Sequence, residues 1–296
     1  PTPPPRGSAA PSARGSPGAP WPPPGGGAPP GPCPHGVREP SEVTPLTGLP
    51  ILGAIPITGD GEEASNLVRD PKSEISEAYF TVHSNLAFST AHGFPKSLMV
   101  TSSRPAEGKS TTSFAIAAVL ARTGKKVIIV DADMRSPSVH EFFGVANKDG
   151  LSSFLAGDDD LARLIAQTNI PNLSLMSAGR IPPSAAELLS ADRMALMTDQ
   201  LLKLFDHVIV DSPPLLGLAD APLLSRVVEG VVYVIEARGV STKGIKMSIN
   251  RLRESRANLV GVILTKFGGA GSAGYGYGYG YGYGYGLKYG QSDDKS

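Results

Sequence analysis

Leu98-Met-Val-Thr-Ser-Ser-Arg-Pro-Ala-Glu-Gly-Lys-Ser-Thr-Thr112 is the stretch whose reading decides the fold. An apolar run, Leu98 to Val100, enters a tight loop ending in Gly108-Lys109-Ser110, and a helical pattern through Phe114, Ile116, Ala117, Val119 and Leu120 follows at once. Strand, glycine-containing loop and helix in that order form a phosphate-binding loop. Backbone N–H groups of Ser103, Arg104, Pro105, Ala106, Glu107, Gly108, Lys109, Ser110 and Thr111 span the segment that would curl round the phosphates, proline excepted for its missing N–H. The helix N-terminus adds partial positive charge, Lys109 reaches the outer phosphates, and the Ser110 hydroxyl is offered to Mg²⁺. Ser103 stands where such loops carry their first glycine, and Ala106 where another glycine is common.

Outward from the loop, apolar strand patterns at 98–101, 127–131, 173–176, 208–211, 231–235 and 259–264 alternate with helical patterns at 110–122, 191–205, 221–228 and 242–256. Irregular and short helical pieces fill 136–170. Strands apolar throughout are buried on both faces, and their alternation with helices predicts an α/β fold with a doubly wound, mainly parallel sheet. Such a sheet binds ligands at the carboxyl ends of its strands. Upstream, 49–57 reads as an extended lead-in, and Ile75, Tyr79, Val82 and Leu86 recur at helical spacing within 73–90.

Three carboxylates close strands that converge on the loop. Asp131 and Asp133 end Val127-Ile-Ile-Val-Asp-Ala-Asp, and Asp211 ends His207-Val-Ile-Val-Asp. Carboxylates so placed hold Mg²⁺ or orient an attacking nucleophile in phosphoryl transfer; a single Asp at a strand end is equally at home capping the next turn.

The 296 residues hold one or two domains, and 41% hydrophobic content suffices for one core. The 27 basic and 27 acidic residues balance, which gives no support for nucleic-acid binding of the usual basic kind. The single cysteine, Cys33, excludes a disulfide framework or a cysteine zinc site within one chain, and a reducing cytoplasm fits. No apolar run approaches the ~18 residues that span a bilayer. The chain opens on Pro1 instead of Met, as a fragment or a chain of uncertain start does. Residues 1–45, dominated by Pro, Gly, Ala and Ser, are expected to be disordered. A globular domain occupies 46–267, and 268–296 form a flexible tail. There Tyr275, Tyr277, Tyr279, Tyr281, Tyr283 and Tyr285 alternate with glycine and Tyr289 follows, so seven of the nine tyrosines fall in fifteen residues.

Val127-Ile-Ile-Val-Asp-Ala-Asp-Met-Arg135 with Ser136 to Gly144, Asp211-Ser-Pro-Pro214, Gly150 to Gly157 and Ala178 to Leu189 resemble motifs of the bacterial tyrosine kinases of capsule and exopolysaccharide synthesis. With the tail, the resemblance covers about 45–267 and implies a P-loop NTPase-type fold related to the partitioning and positioning ATPases. It implies a kinase that uses ATP and Mg²⁺ to phosphorylate Tyr275 through Tyr289 on a neighbouring subunit, and so regulates polysaccharide polymerisation and export. Carried over by position, Lys109 holds ATP, while Ser110, Asp211 and Asp133 serve the metal. Asp131 or Asp133 receives the tyrosine proton, Arg135 meets phosphate charge, and Lys266 packs near the adenine. A tyrosine of pKa about 10 is neutral at physiological pH and needs such a base or cation. Seven phosphates at about −1.5 to −2 each add roughly −10 to −14 charges, which predicts an assembly switch.

The resemblance further implies self-association, a separate membrane copolymerase as activator, a protein-tyrosine phosphatase as antagonist, and a cytoplasmic site at the inner face of the plasma membrane reached through that partner. Where the family's oligomerisation helix carries Glu-x-x-Arg-x-x-Arg, this chain has Glu77, Phe80 and His83, so any ring is weakened or differently built. Two other readings compete: a dimerisation-switch ATPase of the partitioning type, which generally has lysine where Arg104 stands, and a catalytically weak scaffold.

Overall fold

A computed structural model describes residues 35–59, 62–189 and 192–268. The tail tyrosines, and the first 34 of the 45 residues expected to be disordered, lie outside the described residues.

Eight strands form one sheet in the order β1-β8-β7-β2-β6-β3-β5-β4. They are β1 (Ile51–Pro56), β2 (Ser97–Ser102), β3 (Val127–Asp131), β4 (Ala166–Gln167), β5 (Leu173–Met176), β6 (His207–Asp211), β7 (Gly230–Glu236) and β8 (Leu259–Phe267). All neighbours pair parallel except the two-residue β4, which runs antiparallel along β5. Every residue of β2, β3 and β6 is buried, as expected for apolar runs covered on both faces. β6 and β7, consecutive in the chain, flank β2 on opposite sides, so the crevice opens at the carboxyl end of β2.

The helices are α1 (Val43–Thr47), α2 (Ala64–Arg69), α3 (Glu74–Leu86), α4 (Lys109–Arg122), α5 (Leu151–Leu155), α6 (Leu161–Leu164), α7 (Ala185–Leu189), α8 (Arg193–Leu201), α9 (Asp220–Leu224) and α10 (Thr242–Glu254). Alternate strand residues feed two cores. Leu98, Val100, Val127 and Ile129 pack with Tyr79, Val82 and Leu86 of α3 and Phe114, Ile116 and Leu120 of α4. Met99, Ile128 and Val130 pack on the other face with Phe154 of α5, Met197 and Leu201 of α8, and Ile245 and Leu252 of α10. α4 buries most of its circumference, so it is the central helix beneath the sheet. Ser73 caps α3 by accepting the Ser76 N–H at 3.0 Å, and the stripe Ile75, Tyr79, Val82 and Leu86 is buried as its spacing predicts.

Three expectations change. The lead-in at 49–57 is a paired strand, β1, and its Gly53 lies so close to α3 that a Cβ would come within 2.6 Å of Val82 Cγ2. Residues 35–45, the described part of the segment expected to be disordered, are ordered. Val37 and Val43 are buried in the core, and the Arg238 and Thr242 N–H groups donate to the Val37 and His35 carbonyls at 2.7 and 3.1 Å. Two valines suffice to seat that segment once α10 offers an apolar face, which composition averaged over 45 residues conceals. The helix expected over 191–205 is the shorter α8. Among the described residues no helix is long and apolar enough to cross a membrane.

Candidate active site

The loop after β2 and the start of α4 form one wall of a cleft of about 500 Å³. Pro105, Ala106, Gly108, Lys109, Ser110 and Thr111 line that wall; Asp133, Arg135 and Ser136 come from the segment after β3, and Lys266 from the end of β8. Gly108 has φ +90°, the left-handed turn that lets the chain enter α4, and Ala106 adopts φ +65° without being glycine. Thr265 buttresses the loop by donating to the Glu107 carbonyl at 2.7 Å. Lys266 donates to the Ala106 carbonyl and to Glu236, both at 2.8 Å.

Four charged groups meet out of solvent. Lys109 Nζ donates to Asp133 Oδ2 at 3.0 Å and to Ser110 Oγ at 3.3 Å. Asp211 accepts from Ser110 at 2.7 Å and from Ser113 at 2.9 Å. Asp131 accepts the backbone N–H groups of Asp133, Ser138 and Val139, each at 3.1 Å. Relative exposures are 7% for Lys109, 3% for Asp133 and 0% for both Asp131 and Asp211, so one ammonium faces three carboxyls in a nearly dry site. Burial first, and then the charge of Asp211, push Asp131 up to about 7, against the pull of its amide donors. Burial likewise raises Asp211, opposed by Lys109 and the two serine hydroxyls. For Lys109, burial works downward, but Asp211, Asp133 and Asp131 outweigh it and hold the ammonium above its ordinary range. Among the described residues no three His, Cys, Asp or Glu side chains are grouped to hold a metal by themselves, and the hard-oxygen pair the site offers is the Ser110 hydroxyl beside Asp211.

The site residues expected from sequence divide into two sets. Lys109, Ser110, Thr111, Asp133, Arg135, Lys266, Pro105, Ala106 and Gly108 share the cleft. Ser103 does not face it: its buried hydroxyl bonds the Tyr233 hydroxyl and, at 3.0 Å, Ser248 Oγ, so it braces the loop against β7 and α10. The Glu107 side chain is also turned inward, only 1% exposed, and accepts the Arg104 N–H at 2.6 Å. The Arg104 guanidinium donates to the Gly239 carbonyl. Asp131 lies behind Asp133 with both oxygens engaged; Asp133 too accepts on both, from Lys109 at 3.0 Å and the Ser136 N–H at 3.1 Å, but it is the one of the three carboxylates that lines the cleft. Asp211 is beneath Ser110. The candidate assembly helix α3 keeps Glu77 exposed and Phe80 half exposed at 51%, while His83 stacks on Phe94 with ring centroids 5.6 Å apart.

Sequence reasoning passed over three residues. Ser113 is one turn beyond Ser110 and shares Asp211, a relation its helical spacing makes readable. Thr112 Oγ1 and Tyr79 OH are 3.0 Å apart, tying α3 to the loop helix. Asp220, the first residue of α9, accepts two bonds from Arg135, and no local pattern announces it.

A family model described as an AAA domain matches residues 96–261. The tyrosine-protein kinase YwqD of Bacillus subtilis is 37% identical over 195 residues, which are 66% of this chain and 82% of YwqD. The kinase domain of the Escherichia coli tyrosine kinase ETK has the same fold with a TM-score of 0.74 at 30% identity, covering 82% of this chain and 100% of that one. The chimerical protein CapA2B2 aligns with a TM-score of 0.72 at 34% identity, over 78% of this chain and 100% of its own.

Proposed function

Because the chain belongs to the bacterial tyrosine kinases and is itself a protein-tyrosine kinase, we propose that it phosphorylates its own C-terminal cluster, Tyr275 through Tyr289, in trans, and thereby regulates capsule or exopolysaccharide polymerisation and export. The observation that carries this is the convergence of Lys109, Ser110, Asp133 and Arg135 in one cleft whose rim includes Lys266, two residues before the chain continues into the tyrosine tail.

The residues divide the work by position. The loop amides of Gly108 to Thr111 and Lys109 bind the triphosphate of ATP, and Ser110 with Asp211 would hold Mg²⁺. Bound there, nucleotide and metal supply the phosphoryl group and neutralise its charge. Asp133, at the cleft with Lys109 on Oδ2 and the Ser136 N–H on Oδ1, orients the incoming tyrosine hydroxyl and takes its proton. Asp131, fixed by three backbone amides, keeps the segment from Asp133 to Val139 in place. Arg135 faces charge developing on the transferred group, and Lys266 flanks the base. Partners follow the same reading: further copies of this chain, a membrane copolymerase that activates it at the inner face of the plasma membrane, and a protein-tyrosine phosphatase that resets the tail. The fold match to CapA2B2 supports the copolymerase.

Intact-mass spectrometry after incubation with ATP and Mg²⁺ tests this. A ladder of phosphate additions mapping to Tyr275 through Tyr289, absent in Lys109→Met, is the expected result; an unchanged ladder in that variant refutes the site, and ATP hydrolysis without mass change refutes the tail as substrate.

A further inference from the structure

Arg135 lies in the loop after β3, and its Nε and Nη2 donate to Asp220 Oδ2 and Oδ1 at 2.7 and 3.1 Å, a bidentate pair across 85 residues of sequence. The two partners differ sharply in environment. The Arg135 side chain is 44% exposed and lines the cleft, whereas the Asp220 side chain is 1% exposed and does not.

That asymmetry is hard to explain as stabilisation. A pair with a half-exposed arginine gains little in screened surroundings, while a carboxylate removed from water is costly to bury, and an apolar residue at position 220 would avoid that cost. What the arrangement does supply is direction. An arginine carries five N–H donors in a planar fork; two are committed to Asp220, the plane is fixed by the two-point contact, and three donors remain. The cleft they share with Lys109 and Asp133 is where phosphoryl transfer is placed above. A donor held before the reaction needs no reorganisation when charge develops.

We propose that Asp220 is a positioning residue for phosphoryl transfer, holding the Arg135 guanidinium in a fixed plane over the cleft so that its free donors meet the transferred group. This rests on the kinase reading of the cleft, and the test separates the two.

Full-length chain is assayed with ATP and Mg²⁺ for the rate of tail phosphorylation, and for affinity for a fluorescent ADP analogue. Asp220→Asn should slow transfer about 10- to 100-fold with ADP affinity within about twofold of wild type, since the loop and Lys109 are untouched. Arg135→Ala should lose a similar factor, and adding Asp220→Asn to it should cost nothing more, because Asp220 acts only through Arg135. Arg135→Lys, which keeps the charge but not the fork, should resemble Asp220→Asn, and it decides the question if Asp220→Asn does not fold. Transfer by Asp220→Asn within twofold of wild type, an additive double variant, or full activity in Arg135→Lys overturns the inference. A wild-type chain that adds no phosphate refutes the kinase reading instead.

Discussion

Replacing Glu107 by Gln gives the sharpest check on the electrostatics of the loop. Glu107 sits between Ala106 and Gly108, its carboxyl only 1% exposed, with the Arg104 N–H donating to it at 2.6 Å. Burial raises its pKa from 4.5 to about 7, against the opposing pull of the Arg104 and Glu236 backbone bonds. The sign follows from proton counting. Between those two values the folded chain keeps a proton that the unfolded chain has lost, so stability falls as pH rises through the window. It is flat above about 7 and unaffected below 4.5. At about 1.4 kcal/mol per pH unit the window is worth about 3 kcal/mol. Gln is nearly isosteric, accepts the same N–H and does not titrate. Urea unfolding at about pH 5 and about pH 8 should therefore show a loss of stability in the wild type that is roughly 2–3 kcal/mol larger than in Glu107→Gln. Asp131 titrates in the same range in both proteins and cancels in the comparison. The slope is the readout, because the new amide NH₂ changes absolute stability by an amount of its own. Equal pH dependence in the two proteins would mean that the buried carboxyl is not protonated in this window, and the reasoning would fail.

Ala106→Gly should stabilise the domain by about 0.5–1 kcal/mol in urea unfolding, because an L-residue held at φ +65° costs roughly 1–2 kcal/mol and glycine returns part of that as chain entropy; an unchanged or lower midpoint counts against strain at this position. Replacing all seven tail tyrosines by Phe should give an assembly whose mass by light scattering stays high after ATP addition, while the wild type dissociates as roughly −10 to −14 charges accumulate. Equal masses for phosphorylated and unphosphorylated wild type would rule out the charge switch.

Much of this site is readable because its parts are local. A strand, a Gly108-Lys109-Ser110 loop and a helix occupy consecutive positions, and Asp131 and Asp211 end apolar strands with Asp133 two residues beyond the first, so parallel pairing brings them to the loop. What was not readable depends on contacts made across the sequence. Ser103 fills a loop position that usually faces phosphate, and only the presence of Tyr233 and Ser248 behind it shows why its hydroxyl turns inward. Asp220 lies in Leu218-Ala-Asp-Ala-Pro222 with no periodicity of its own, and its role depends on an arginine from another crossover. The stretch 49–57 is readable as extended, but its pairing with β8 is not, because Pro50 and Pro56 bracket it and Gly53 reads as a breaker until α3 is seen to press against it.

On the kinase reading proposed above, the arrangement around Lys109 would link nucleotide entry to the freeing of a base. Its ammonium has three N–H donors. Ser110 and Asp133 take two, at 3.3 and 3.0 Å, so a phosphate oxygen meets one uncommitted donor on a group already held in place. On the proposed reading, a stronger pull from phosphate would move Nζ off Asp133, the one carboxylate of the three that lines the cleft. Asp131 and Asp211 do not follow, because backbone amides hold the first and serine hydroxyls the second. Filling the phosphate side of the cleft would thus free one oxygen, Oδ2, of the carboxylate that on this reading faces the incoming tyrosine, while Oδ1 keeps the Ser136 N–H at 3.1 Å. Because Lys109 already pairs with Asp133 Oδ2 at 3.0 Å, the proposed base and the proposed nucleotide site would be coupled through a single side chain.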